Sequence, residues 1–267
     1  MSAKDPYFDF SISIARKAGA IMRKNFKLGM RKQWKADESP VTATDLAINS
    51  LVIASVRKRF PGHDILAEEE SSITHHGEYL WVCDPVDGTI PFSRGIPTCV
   101  FTLALLRKGE PIVGVIYDPF LDRLWCARKG GGATLNGKRV SVSPDAKLPR
   151  TITGAIDWGT APYDLTALSV ALDRAGSCPL VLGSVTYMYA LIASGEIAAV
   201  AFAGSKSHDT AASALIVEEA GGKATDLHGK PLRLDRENEG YLLSNGRIHA
   251  KMLALLKRHA KKRRLRA

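Results

Sequence analysis

The middle of the chain constrains its fold most, because short β-rich runs follow one another there with only turns between them. Asn136-Gly137, the dipeptide typical of a two-residue hairpin turn, joins Ala133–Leu135 to Arg139–Val142. The region is therefore predicted to form a meander of antiparallel strands. Before this hairpin the same pattern occurs in three apolar runs: Cys99–Leu106, Ile112–Tyr117 and Arg123–Ala127.

Two helical patterns precede the meander. Pro6–Phe26 carries apolar residues at helical spacing, and its proline suits a first helical turn. A second helix is predicted to begin near Thr44-Asp45 and to end at Pro61-Gly62. The polar stretch Arg31–Pro40 between them is predicted to be a loop.

Beyond a predicted linker at Ser143–Pro149 the pattern changes to alternating strands and helices. This alternation is typical of an α/β unit. We therefore expect an α+β first half over residues 1–143 and an α/β second half over residues 144–267, with a cleft between them. Strands are predicted at 152–156, 180–182, 197–202 and 241–243, and helices at Tyr163–Arg174, Thr186–Ala193, Asp209–Ala220 and Ile248–His259.

The net charge of +10 is concentrated at one end of the chain. Lys257–Ala267 holds seven basic residues and no acid, and without them the rest of the chain carries only +3. Such a tail either binds RNA or is a solvated end that complements the dipole of the last helix. We favour the solvated end, so a nucleic-acid partner is not expected.

The cysteines and the hydropathy pattern indicate a compartment. Three of the four cysteines lie in apolar, strand-like runs, and no Cys-x-x-Cys pair occurs, which predicts buried free thiols. The absence of a disulfide framework fits a reducing environment. No apolar signal core and no run of 18 apolar residues occurs, so we expect a cytoplasmic protein without a membrane span.

Two acidic segments stand where strand-like runs end. Ala67–Ser71 and Asp84–Thr89 together bring five carboxylates into a short region. Like charges this close are costly unless a cation lies among them, and Mg²⁺ prefers oxygen ligands. The segments predict a metal-dependent hydrolase acting on a phosphate. Which of the three consecutive glutamates faces inward is left open by this reasoning.

The second acidic segment is suited to both a metal and an anion. Asp84 lies at the end of a buried run, and a sharp turn after it can direct the Val86 carbonyl and the Asp87 carboxylate at one point. Gly88 permits a close backbone approach, and its N–H and that of Thr89 at a helix start could hold phosphate oxygens. The alternative is an ordinary Asp-Pro turn with a capping threonine.

Two further aspartates begin predicted helices. Asp45 in Thr42–Asp45 and Asp209 in His208–Ala212 could be no more than helix caps. His208 is equally suited to a structural and a functional role. The loop histidines are not expected to be ligands: His63, His75 and His76.

Taken in order, these segments resemble the inositol monophosphatase family of Mg²⁺-dependent, lithium-sensitive phosphomonoesterases. The likeness extends over roughly Phe8–His259, and Asp-Pro-x-Asp-Gly-Thr is its most specific motif. The matching segments are Thr42–Asp45, Ala67–Ser71, Trp81–Thr89 and His208–Gly222.

The resemblance implies a layered α-β-α-β-α sandwich of the sugar-phosphatase type, a homodimer, and two or three Mg²⁺ ions. Glu69 and Thr89 would position the attacking water, Asp45 would hydrogen-bond Thr89, and Gly88 and Thr89 would contact phosphate. Lys35 falls in the loop that closes over the site in relatives. The implied metal ligands are Glu69, Asp84, the Val86 carbonyl, Asp87 and Asp209, and the implied substrate contacts are Gly183, Ser184, Val185 and Thr186.

The chain departs from the family pattern at three places. Ile90-Pro91 replaces Thr-Asn, Ser207-His208 replaces Cys-Trp, and Phe202 stands on the substrate side where inositol-specific members have a glutamate. Loss of that acceptor weakens the expectation of inositol recognition. Inositol-1-phosphate is the family default, and the alternatives are histidinol phosphate, a sugar phosphate, fructose bisphosphate, a nucleotide 3′-phosphate, or a non-enzymatic RNA-associating role through the tail.

Overall fold

The computed structural model describes residues 5–35, 40–69, 77–158, 161–204, 207–232, 234 and 238–263. Within them the helices are α1 (Pro6–Asn25), α2 (Ala43–Arg59), α3 (Thr89–Ser93), α4 (Thr166–Arg174), α5 (Val185–Ala193), α6 (Ala211–Glu219) and α7 (His249–His259), with a 3₁₀ helix at Ser207–Asp209. The strands are β1 (Gln33–Trp34), β2 (Pro40–Val41), β3 (Asp64–Ala67), β4 (Tyr79–Asp87), β5 (Val100–Arg107), β6 (Glu110–Asp118), β7 (Arg123–Arg128), β8 (Gly132–Leu135), β9 (Lys138–Arg139), β10 (Ile152–Asp157), β11 (Tyr163–Asp164), β12 (Cys178–Pro179), β13 (Ala199–Ala203), β14 (Lys223–Asp226), β15 (Tyr241–Ser244) and β16 (Lys261–Lys262).

The larger sheet contains seven strands in the order β3-β4-β5-β6-β7-β8-β9. Every neighbouring pair is antiparallel except β3 and β4, so the predicted meander is confirmed. Asn136 and Gly137 both have positive φ, at 50° and 77°, as the two-residue hairpin between β8 and β9 requires. The strand after this turn is shorter than expected, because only Lys138-Arg139 pairs.

The smaller sheet has the order β12-β10-β13-β15-β14. Its parallel pairs, β10 with β12 and β10 with β13, are the α/β feature that the alternating pattern predicts. Two boundaries were predicted wrongly. The strand expected at 180–182 lies at Cys178–Pro179, and the helix expected from Tyr163 begins at Thr166, because Tyr163-Asp164 pairs instead with Lys261-Lys262. β14 was not predicted.

Three apolar clusters order the elements into layers. α1 and α2 cover one face of the larger sheet, where Ile14 and Ile48 pack with Trp81. α5 and α6 fill the space between the two sheets, and α4 and α7 cover the outer face of the smaller one. Side chains of a strand alternate between the two faces of the sheet, so Trp81 faces the cluster under α1 and α2, and its neighbour Val82 faces the cluster between the sheets. The layers are α-β-α-β-α, which confirms the predicted fold class.

The basic tail is partly engaged with the fold. Besides the β11–β16 pairing, the Arg263 backbone N–H donates to the Pro162 carbonyl at 2.8 Å, and its guanidinium Nη2 lies 3.0 Å from Asp157 Oδ1. The expectation of a purely solvated run is therefore wrong for these residues, and 264–267 lie outside the described part. Three cysteines are buried free thiols as predicted, whereas Cys178 is exposed. Among the described helices, none is both long and apolar enough to cross a membrane.

Candidate metal centre and active site

The centre of the site is the end of β4. Asp84 and Asp87 are only 2% and 8% exposed, although each carries a carboxylate. The pairing of β4 with β5 is irregular between these two residues, so the strand bends where its acids lie. The Asp84 carboxylate accepts a hydrogen bond from the Val86 backbone N–H at 2.9 Å, which fixes the turn between them.

The second half of the chain holds the other side of the centre. At the start of α5, the Ser184 hydroxyl and the Thr186 backbone N–H donate to Asp87 Oδ2 at 2.7 and 2.5 Å. The Thr186 hydroxyl donates to the backbone carbonyl of Asp209 at 2.9 Å. One helix start therefore fixes Asp87 and Asp209 relative to each other, although these residues are far apart in the sequence.

Two groups of possible metal ligands result. The carboxylates of Asp84, Asp87 and Asp209 offer ligand atoms within 4.8 Å of one another, and all three residues are buried. Glu68, Asp84 and His208 form a second group with the same spacing, so Asp84 belongs to both. The structure thus brings together three of the predicted ligands, and Val86 is buried between two of them.

Glu68, rather than the predicted Glu69, is the glutamate beside Asp84. β3 and β4 run parallel with Ala67 opposite Cys83, and the Glu68 N–H bonds the Cys83 carbonyl at 3.2 Å. Glu68, the first residue after β3, therefore lies beside Asp84 of β4. Glu69 belongs to neither group of possible ligands among the described residues, although Lys35 contacts both glutamates, and its role as a ligand stays a prediction.

The electrostatics of the centre favour a cation. Burial raises the pKa of Asp84 well above its usual value, and repulsion by Glu68, Asp87 and Asp209 adds to the shift. Burial also raises the pKa of Asp87, although hydrogen bonds from Ser184 and Thr186 oppose it. Because the first ligand group is made only of carboxylate oxygens, its chemistry fits a hard divalent ion.

Thr89 and Asp45 form a pair next to the acids. The Thr89 hydroxyl lies 3.2 Å from Asp45 Oδ1 and 3.0 Å from the Val86 carbonyl. Asp45 is held by a capping box, because its Oδ2 accepts from the Thr42 backbone N–H and hydroxyl. Burial raises the pKa of Asp45 to about 6, against the lowering effect of these hydrogen bonds.

Gly88 is required by the backbone at this point. Its φ is +93°, and a Cβ would lie 2.9 Å from the Thr98 carbonyl and 3.0 Å from the Ser184 Cβ. A larger residue would therefore clash with the Thr98 backbone in the first half of the chain and with Ser184 in the second. Gly88 also precedes α3, and its carbonyl accepts from Phe92 at 2.9 Å.

The Lys35 ammonium group contacts two of the glutamates beside the site. Its Nζ lies 3.1 Å from Glu68 Oε1 and 2.9 Å from Glu69 Oε1. Burial lowers the pKa of Lys35, but the attraction of both carboxylates outweighs burial and raises it. Glu69 is thus held beside the site through Lys35, and residues 36–39, which follow it, lie outside the described part.

The predicted substrate contacts are mostly buried. Ser184, Val185 and Thr186 belong to the interior, where the first and last anchor the acids described above. Phe202 is 2% exposed and lies in the cluster between the sheets. Its ring is therefore part of the core, and direct substrate contact by Phe202 is not supported. Only Gly183 of this set is partly exposed.

Sequence reasoning did not single out two buried hydroxyls. Tyr189 OH and Thr210 Oγ1 are fully buried and make no hydrogen bond to any described residue. The sequence does offer a signal for Thr210, because this residue directly follows Asp209. It offers none for Tyr189, because the apolar pattern of α5 makes Tyr189 indistinguishable from a core residue. The ring of His63 stacks on that of Tyr79, with the ring centroids 4.6 Å apart. His75 and His76 lie outside the described residues.

Known proteins are similar to this chain in sequence and in fold. A sequence model of the inositol monophosphatase family matches residues 3–261. A Thermotoga maritima fructose-1,6-bisphosphatase/inositol-1-monophosphatase is 31% identical over 251 residues, covering 93% of this chain and 94% of its own. Nus factor SuhB of Escherichia coli K12 is 31% identical over 230 residues, covering 84% and 86%. The solved T. maritima IMPase gives a TM-score of 0.87 at 29% identity, covering 95% and 98%.

These matches define a phosphatase, a hydrolase that acts on phosphoric monoesters with the help of a metal. The chain belongs to the inositol monophosphatase family, as its motifs predict.

Proposed function

We propose that the protein hydrolyses a small polyol phosphate with Mg²⁺ as cofactor, and that inositol-1-phosphate is the first substrate to test. One observation carries this proposal: Asp84, Asp87 and Asp209, which come from both halves of the chain, converge within 4.8 Å in a buried position. A divalent cation among buried carboxylates relieves their mutual repulsion and keeps them ionised.

Two or three ions would be held by Glu68, Asp84, the Val86 carbonyl, Asp87 and Asp209. A bound divalent ion lowers the pKa of water and neutralises charge on the phosphate. Ser184 and Thr186 keep Asp87 in place for this task. The carboxylates need no large movement, since their ligand atoms already lie close together.

Asp45 and Thr89 would position the attacking water. The hydroxyl of Thr89 has one proton and two nearby acceptors, Asp45 Oδ1 and the Val86 carbonyl. When the Thr89 hydroxyl donates its hydrogen bond to Asp45, a lone pair of its oxygen is free to accept a hydrogen bond from water and to orient that water. Backbone N–H groups of Gly88 and Thr89 would contact the phosphate, as the family motif implies.

The substrate alternatives differ in the group attached to the phosphate. The T. maritima relative is named for two activities, which supports sugar bisphosphates as the second candidate. Phe202, which stands where inositol-specific members have a glutamate, is buried in the core, so this position supplies no acceptor to a ring hydroxyl. A phosphate-release panel should compare inositol-1-phosphate, fructose-1,6-bisphosphate, histidinol phosphate and 3′-phosphoadenosine 5′-phosphate, and the largest kcat/KM identifies the class.

An RNA-associating role is the competing non-enzymatic function. A relative named as a Nus factor raises it, but the structure engages part of the basic tail, with Lys262 paired to Glu239 at 2.8 Å and Arg263 to Asp157 at 3.0 Å. Phosphate-directed binding falls steeply with salt. Equal RNA retention at low salt by the full chain and a chain ending at Ala260 would exclude the tail.

Asp87→Asn tests the enzymatic proposal. The amide keeps the shape and one acceptor for Ser184 or Thr186, but loses the charge. We expect Mg²⁺-dependent phosphate release to disappear while circular dichroism stays unchanged. Glu110→Gln, at an exposed ion pair with Lys129, is the matched control. Retained turnover in the Asp87 variant would reject the assignment.

A cytoplasmic location and a homodimer belong to the same proposal. Buried free thiols at Cys83, Cys99 and Cys126 suit a reducing compartment. Light scattering after size-exclusion chromatography measures the oligomeric state, and a mass near twice 28.9 kDa is expected.

A further inference from the structure

His208 lies in a metal-ligand geometry that the family motifs do not contain. A ring nitrogen of His208 and carboxylate oxygens of Glu68 and Asp84 all lie within 4.8 Å of one another. One ion at about 2.1 Å from each ligand would separate the ligand atoms by up to about 4.2 Å. Small side-chain adjustments are therefore enough to close the three around one ion.

This second group differs from the first in its chemistry. Asp84, Asp87 and Asp209 offer oxygen alone, whereas Glu68, Asp84 and His208 offer two oxygens and one imidazole nitrogen. Mg²⁺ prefers oxygen and retains water, but imidazole favours first-row transition metals. The two groups share Asp84, so they are adjacent sites with unequal metal preference.

The position of His208 in the chain supports a role at this site. It precedes Asp209 in the short 3₁₀ helix Ser207–Asp209, and its side chain is 11% exposed. A neutral imidazole has a lone pair to give to a metal. His208 therefore adds a nitrogen donor at the edge of the acidic centre.

We propose that His208 is a metal ligand, and that with Glu68 and Asp84 it makes one site that binds Mn²⁺ or Co²⁺ more tightly than Mg²⁺. The inference rests on the proposed metal-dependent function. It assigns Mn²⁺ or Co²⁺, in place of Mg²⁺, to one of the two adjacent sites. A purely structural His208 would instead pair with Asp209, whose Oδ1 lies 3.4 Å from His208 Nε2.

Pulsed EPR of bound Mn²⁺ separates these two roles without an activity assay. Coupling of the electron spin to a directly bonded imidazole nitrogen is expected in the wild-type protein. Selective ¹⁵N-histidine labelling must replace the ¹⁴N modulation with that of ¹⁵N, which needs no mutation. The signal must vanish in His208→Gln and His208→Trp and persist in His228→Gln, whose residue is exposed.

Metal affinities provide the second measurement. The His208→Gln substitution should raise the Kd for Mn²⁺ by about tenfold or more and change the Kd for Mg²⁺ far less, as measured by calorimetric titration. Bound Mn²⁺ without nitrogen coupling in the wild type would overturn the inference and leave the metal-dependent phosphatase intact. Failure of the wild type to bind any divalent ion would overturn both.

Discussion

Two clusters of ionisable side chains show opposite ways of placing charge in this protein. The metal centre is buried and contains several carboxylates, among them Asp84, Asp87 and Asp209. The C-terminal clasp, by contrast, is exposed and mixes both signs. We define the clasp as Tyr163, His228, Glu239 and Lys262.

The pKa values follow this difference. Burial raises the pKa of Asp84 at the metal centre, whereas the hydrogen bond from Lys262 lowers the pKa of Glu239 in the clasp. A carboxylate with an exposed partner is already satisfied and has little left to offer a ligand. Buried carboxylates that repel one another are poised for a cation, so their grouping carries functional information.

The largest expected effect distinguishes the two clusters directly. Asp84→Asn should lower metal-dependent turnover by at least about 100-fold, because Asp84 belongs to both ligand groups. Its metal-free Tm should not fall, since one of several repelling charges is removed. Glu239→Gln should leave turnover unchanged. Comparable losses in both variants would remove the distinction between the clusters.

Metal binding should stabilise the protein through the centre alone. At about 100 times Kd, a divalent ion adds about 2.7 kcal/mol to the free energy of unfolding, and Tm rises by about 5 °C or more. The increase should be lost in Asp87→Asn and kept in Lys262→Ala. Scanning calorimetry with Mg²⁺ and with EDTA measures it, and an equal rise in both variants would point to another site.

The pH dependence of metal-free stability should depend on Asp45. Its pKa rises from 3.8 in the unfolded chain to about 6 in the fold, mainly through burial. Asp45 therefore contributes about 3 kcal/mol to the free energy of unfolding below about pH 4, and this contribution disappears as the pH rises through 6. Denaturant titrations in EDTA should show a shallower fall in Asp45→Asn than in the wild type, and parallel curves would contradict the assignment.

The smallest effect is expected in the clasp. Lys262→Ala removes an exposed ion pair and should change Tm by less than about 1 °C. Arg263→Ala should cost more, because its partner Asp157 is largely buried and its guanidinium also bonds the Trp158 carbonyl. Thermal scans at low and high salt compare them. A larger fall in Tm for Lys262→Ala than for Arg263→Ala would show that exposure does not determine how much these ion pairs stabilise the protein.

Local patterns predicted the elements that carry the acids. Three features depend on residues near in sequence, so their positions could be inferred: the Asn136-Gly137 turn, the capping threonine before α2 and the strand that carries Asp84. The convergence of Asp84 and Asp209 was inferred through the family motif. Physics alone could not supply it, because the contact that fixes Asp209, from the Thr186 hydroxyl to its carbonyl, is long-range.

The errors come from contacts between distant segments. The position of Glu68 beside Asp84 depends on the register of β3 against β4, while the role of Glu69 as a ligand stays a prediction. The helix predicted from Tyr163 begins only at Thr166, because Tyr163-Asp164 forms a strand with Lys261-Lys262. No local pattern indicates such a partner. The division of the chain near residue 143 stays a prediction.

The central claim is that oxygen ligands from both halves of the chain enclose a divalent ion. Crystals grown with Mn²⁺ and measured at its absorption edge test it most directly. An anomalous peak bonded to carboxylate oxygens of Asp84, Asp87 and Asp209 is the predicted result. Density for Mn²⁺ elsewhere, with these three carboxylates turned away from one another, would contradict the account.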